Sequence, residues 1–142
     1  MPLGKWICAV VIRRTQLGLE FWMLSEQPSS RWTFPVFPHP APNEVEAVVD
    51  QMETYWHLQV RPLRSEPIAT LHRSRNEEPG VIRAFLLHYL DRSPQANGLV
   101  GYKSRWCLPE EAQRRIRRKP LQRIVQDVQR DYSDHLPFHD GM

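Results

Sequence analysis

Three carboxylates, Glu46, Asp50 and Glu53, stand at i, i+4 and i+7, with Glu44 just ahead of them. Residues three and four apart share one side of a helix, so a helix here would present the three together. Grouped carboxylates are the donors that Mg²⁺ or Mn²⁺ takes. The same spacing also makes a solvated acidic face opposite an apolar stripe, and Val45, Val48, Val49, Met52 and Trp56 supply that stripe. The second concentration of charge is basic: Arg114, Arg115, Arg117, Arg118 and Lys119, interrupted only by Ile116. Such a run suits phosphate, from a nucleotide or a nucleic-acid backbone, and otherwise forms a solvated patch. His135 and His139 are four apart, a metal-ligand spacing on a helix, but Leu136-Pro137 between them opposes the helical conformation. With no further ligand pair nearby, zinc is not expected. His72 and His88 read as ordinary strand residues rather than catalytic bases. The sequence holds no Gly-x-Ser-x-Gly turn and no phosphate-cradling glycine loop.

The elements that would position these groups follow from pattern and punctuation. Segments rich in aromatic and β-branched residues predict strands over Trp6–Arg13, Leu19–Ser25, Arg31–Phe34, Ile68–Arg73, Val81–Leu90 and Leu99–Trp106. Gln16-Leu17-Gly18 reads as the turn between the first two. Helices are predicted over Asn43–Trp56, Pro109–Arg115 and Pro120–Tyr132. Asn43 is a candidate N-cap with Glu44 and Glu46 in the first turn, and Pro109 a first-turn proline. Leu121, Ile124, Val125 and Val128 form the stripe that the last helix should bury. Strands, a central helix, more strands and a terminal helix make an α+β fold with a mixed sheet. Residues 131–142 read as a frayed tail.

At 142 residues the chain is expected to be a single domain. Its 41% hydrophobic and 25% charged residues are ordinary for a globular protein. Thirteen prolines, crowded into residues 35–42 and scattered at loop positions, rule out long helices over most of the chain. Cys8 and Cys107 lie in strand-like segments and read as buried free thiols of a reducing compartment. The apolar run Trp6–Ile12 is too short for a signal peptide, and no run approaches a membrane span, so a cytoplasmic location without membrane contact is expected. The net charge is only +3, which makes nucleic acid the weaker partner reading.

The stretch from Arg31 to Leu58 resembles the Nudix box. That pattern runs glycine, five residues, glutamate, seven residues, then R-E-U-x-E-E-x-G-U, with U bulky and aliphatic. The Trp-x-Phe-Pro lead-in that usually precedes it is Trp32-Thr33-Phe34-Pro35. The best register places Met52 and Leu58 on the two U positions. It puts Asp50 on the arginine, Gln51, Thr54 and Tyr55 on the three glutamates, and His57 on the closing glycine. Pro42 falls on the upstream glutamate and Val36 on the first glycine. Lys5–Arg14 resembles the opening strand of such a domain, and residues 104–115, SRWCLPEEAQRR, resemble its Trp-then-Glu-Glu-Ala approach to the last helix. Lys103 stands where the family often has an acid.

The resemblance implies an α/β/α sandwich with a mixed sheet, a central box helix and a C-terminal helix. It implies metal-dependent hydrolysis of a diphosphate, but Gln51, Thr54 and Tyr55 offer an amide, a hydroxyl and a phenol where catalytic carboxylates belong. The first expectation is therefore a box without its usual activity, needing no cofactor and binding a nucleotide-like ligand or a protein partner. The alternative is an active hydrolase using Mg²⁺ or Mn²⁺ on Glu46, Asp50 and Glu53; a third reading is a nucleic-acid module using Arg114–Lys119. Arg31, Trp32 and Phe34 are the candidate pocket wall, and a homodimer is the assembly the resemblance suggests.

Overall fold

Residues Ile7 to Ile12 are all 0% exposed. A strand covered on both faces needs an apolar residue at every position, which is why this segment shows no alternation. The structure is a computed structural model describing residues 4–26, 32–38, 43–72, 80–92 and 102–139. In chain order the elements are β1 (Gly4–Thr15), β2 (Gly18–Glu26), β3 (Trp32–Thr33), β4 (Val36–Pro38), α1 (Glu44–Trp56), β5 (Leu58–Pro62), β6 (Ala69–His72), β7 (Gly80–Arg92), β8 (Tyr102–Cys107), α2 (Pro109–Arg115) and α3 (Lys119–Tyr132). The chain forms two compact units: one of residues 1–10 and 35–96, the other of residues 11–34 and 97–142.

In the first unit the start of β1 pairs antiparallel with β4, Ile7 opposite Phe37. β5 and β6 both pair antiparallel with β7, with a bulge at Gln59/Val60. α1 lies against β5 and β7 and buries Val48 and Met52. The other stripe residues, Val45, Val49 and Trp56, are half-buried.

In the second unit the end of β1 pairs with β2, which also pairs with β3 and β8, all antiparallel. α2 packs on β2 and β8, and α3 on α2. Leu121, Ile124, Val125 and Val128 are buried, as the periodicity predicted. Gln122 ties the two helices together: its Nε2 donates to the carbonyl of Ile116 at 2.7 Å and of Gln113 at 3.2 Å, satisfying carbonyls that the end of α2 leaves open. Pro109 and Pro120 both sit in first turns, where a missing N–H costs nothing.

The architecture is α+β, a mixed sheet with three helices and strand order β3-β2-β1-β7-β5. Three local expectations differ from it. β4 and β5 have no counterpart among the expected strands, because each is short and proline-ended and depends on a partner strand rather than on its own composition. Asn43 does not cap α1 with its side chain; only its carbonyl takes part, accepting from Ala47 N at 3.1 Å. Residues 131–139 do not continue as a loose end: Asp131 and Tyr132 complete α3, Leu136 is buried, and Phe138 forms a parallel bridge with Arg14. Arg31, His39, Pro42, Arg73 and the starts and ends expected at 99–101 and 140–142 lie outside the described residues. Among the described residues no helix is long and apolar enough to cross a membrane.

Candidate functional site

α1 ends at His57, whose φ of 59° and ψ of 37° place it in the left-handed region. His57 is the one non-glycine residue with positive φ among those described. Its N–H closes the helix on the Glu53 carbonyl at 3.2 Å, the usual task of a glycine just past a helix end. A side chain in this conformation costs roughly 1–2 kcal/mol, part of which a glycine would return as unfolded-chain entropy. His57→Gly is therefore expected to stabilise the protein by about 0.5–1 kcal/mol. A thermal melt showing no increase would contradict this.

Gln51 is half-buried, Thr54 is exposed, and Tyr55 is 56% exposed with its ring edge-on to Trp56. Glu46, Asp50 and Glu53 are exposed on the solvent side of the helix. Among the described residues no three His, Cys, Asp or Glu side chains gather closely enough to hold a metal ion. Glu44 stands apart from the other acids: it is largely buried and bridges to Arg83 Nε at 3.3 Å. In this helix the apolar stripe serves the core, and Glu46, Asp50 and Glu53 face water.

The second unit brings together residues that the sequence keeps far apart. Trp32 and Lys103 both stand opposite Ser25, on either side of β2, and Arg105 stands opposite Met23. Opposed residues and those two apart share a face, so Trp32 and Arg105 lie on one side of the sheet. On this side α2 sends out Glu111 and Arg115. Glu111 Oε2 accepts from Arg115 Nε at 3.1 Å and forms an ion pair with Arg105 Nη2, also at 3.1 Å. Both guanidinium groups hang over the Trp32 ring, 5.8 and 5.4 Å from its centroid. A cavity of about 200 Å³ opens here, lined by Trp32, Thr33, Arg115, Ile116, Arg117, Arg118 and Leu121. Its floor is fixed because Ile116 and Leu121 are buried; the basic run is thus not one continuous solvated face.

The charges of this cluster are tuned by their neighbours. Burial alone would raise the Glu111 carboxyl, but the hydrogen bond from Arg115 and the charge of Arg105 outweigh it and hold the group below its ordinary value. The double bridge is therefore complete at neutral pH and is lost as pH falls through that lowered value. Burial, with Glu111 beside it, pushes the Cys107 thiol up to about 11. Cys107 is thus a neutral donor to Glu111 and not a nucleophile.

Phe34, expected to line a pocket, is 0% exposed and packs 6.1 Å from Phe21, centroid to centroid. It belongs to the core and offers no face to a ligand. His135 and His139 do not form a pair on one helix: both follow α3, and the His139 N–H donates to the Arg14 carbonyl at 2.7 Å. Arg105, Glu111, Thr33 and Leu121 carry no signal in the sequence that marks them for this site. Only the strand register and the docking of α2 reveal them.

No protein-family model matches the sequence, and no curated protein matches it. Solved structures do. The Ap4A hydrolase of C. elegans superposes with a TM-score of 0.66 at 19% identity, over 89% of this chain and 96% of that one. A NUDIX hydrolase from Nitrosomonas europaea gives 0.65 at 16% identity, over 99% and 100%. The NUDIX domain of Shewanella oneidensis NrtR, solved with ADP ribose, gives 0.64 at 14% identity, over 92% and 89%. Likenesses of this extent at such low identity concern the backbone, and they lead to one conclusion: the chain has the Nudix fold.

Proposed function

We propose that this Nudix-fold chain binds a nucleotide-like ligand in the Trp32 cavity and does not carry out the metal-dependent hydrolysis usual for the fold. The carrying observation is the cavity itself, which joins an aromatic plane to Arg115, Arg117 and Arg118. A nucleotide combines a planar base with phosphate. Stacking on an aromatic ring contributes about 1–3 kcal/mol per base, and guanidinium forks match phosphate oxygens. That neighbours of this fold include an Ap4A hydrolase and a domain solved with ADP ribose supports the reading.

The silent box is the second part of the proposal. The left-handed His57 at the end of α1 supports the register that sets it on the closing glycine. In that register Gln51, Thr54 and Tyr55 take the places of the carboxylates. An amide, a hydroxyl and a phenol bring no negative charge to a hard dication, so the donor set does not fit Mg²⁺. The Nitrosomonas europaea neighbour covers 99% of this chain, which supports one domain over residues 1–142, and two buried cysteines outside any disulfide suit the cytoplasm.

The test is a paired screen of the full chain. Nucleoside triphosphates, ADP-ribose, NADH and dinucleoside polyphosphates are offered with Mg²⁺ and then Mn²⁺, and binding of the same compounds is followed by calorimetry. The expected result is binding without turnover, with Trp32→Ala weakening affinity about 10–100-fold, the worth of a stacked base. Metal-dependent turnover near ~1 s⁻¹ would overturn the silent box. The alternative site of Glu46, Asp50 and Glu53 would then be tested by alanine substitution.

A further inference from the structure

The cavity is about the size of one base, whereas the positive charge around it extends well beyond. From Lys103 to Arg123 the chain carries eight lysines and arginines against two glutamates, although its total net charge is +3. The structure divides these cations into two kinds. Arg105 and Arg115, over the Trp32 ring, are held by Glu111, and Arg130 farther along α3 is held by Asp127 and Asp131. Arg114, Arg117, Lys119 and Arg123 are exposed and, among the described residues, make no ion pair. Lys119 and Arg123 are four apart on α3, hence on one side of the helix and about 6 Å apart along its axis. These four unmatched cations, on α2, on α3 and in the connection between them, outnumber the phosphates of a nucleoside triphosphate.

We infer that the ligand is a single-stranded polynucleotide, with one base in the Trp32 cavity and its backbone crossing Arg114, Arg117, Lys119 and Arg123. This rests on the reading of the cavity as a nucleotide site. An aromatic platform beside a basic track is how single strands are bound without a sequence code. A duplex keeps its bases stacked and cannot place one in the cavity. A purely electrostatic polyanion would use the outer cations and leave Trp32 idle.

The experiment measures affinity of the full chain by competition against a labelled RNA octamer, using AMP, tetramer and octamer RNA, octamer DNA, a DNA duplex and heparin. Affinity should rise at least tenfold from AMP to the octamer, for RNA and DNA alike. It should fall with salt at a log–log slope of about −2 to −3, as three or four phosphate contacts at about −0.7 each require. Arg114→Ala/Lys119→Ala/Arg123→Ala should remove most of the gain with length, while Trp32→Ala should weaken AMP and octamer together. AMP binding as tightly as the octamer would overturn the polynucleotide but leave the nucleotide site standing. Failure of every nucleotide to bind would overturn both. Equal competition by duplex or heparin, insensitive to Trp32→Ala, would show a generic polyanion surface and overturn the inference.

Discussion

Glu20→Ala is expected to destabilise the protein by about 3 kcal/mol and to lower its melting temperature by roughly 10 °C. Glu20 stands directly opposite Arg13 in the β1–β2 ladder, so the two side chains share one face. Their contact is 2.6 Å, with the side chains 9% and 19% exposed. The Arg13 guanidinium also lies 4.1 Å above the centre of the Trp106 ring. With Glu20 gone, a largely buried guanidinium keeps its aromatic support and loses its counter-charge, and an uncompensated buried charge costs far more than the pair itself contributes. The residual exposure of Arg13 puts the estimate at the low end for such pairs. Glu20→Gln keeps an acceptor and should cost about half as much. Urea denaturation with an unchanged slope checks both variants; a loss under about 1 kcal/mol for Glu20→Ala would show that water reaches Arg13 freely.

Leu136→Ala is expected to cost about 2–4 kcal/mol, although Leu136 lies in a segment whose composition suggests a frayed end. Leu136 is 4% exposed. The residues around it are tied to the end of β1: Arg14 Nη1 donates to the Leu136 carbonyl at 3.1 Å, and its guanidinium lies 4.2 Å above the Phe138 ring. Truncation after Ser133 removes all of these contacts and the His139 backbone bond with them, so it should cost at least as much as the point variant. Phe138 itself is 58% exposed, and Phe138→Ala should cost under about 1 kcal/mol, since little apolar area leaves the core. If the truncated chain melts with the intact one, the segment is not fastened as described.

Long segments with a clear pattern are legible in the amino-acid sequence alone. The run at Ile7–Ile12, the stripe of α3 and the prolines that open α2 and α3 depend on residues close in sequence, and each appears where the pattern puts it. β4 and β5 are not legible there, because strands of three to five residues owe their shape to the partner strand. Phe34 departs from its expected place for the same reason: an aromatic at the end of a strand can face a pocket or the core, and only the position of Phe21 decides.

The sequence by itself determined the order of the longer elements and the likeness to a Nudix box, because these are properties of neighbours along a chain. It also flagged Trp32 and the run Arg114–Lys119, but as separate features. Tertiary structure alone decided that they meet. Pairing of β3 and β8 on β2 put Trp32 and Arg105 on one face, and docking of α2 brought Glu111 and Arg115 over them. The same long-range packing left Glu46, Asp50 and Glu53 in solvent and placed His57 in a conformation that glycine would adopt at less cost. Side-chain chemistry is written locally; which groups share a cavity depends on hydrogen-bond register and helix docking between distant segments, and no local pattern encodes that.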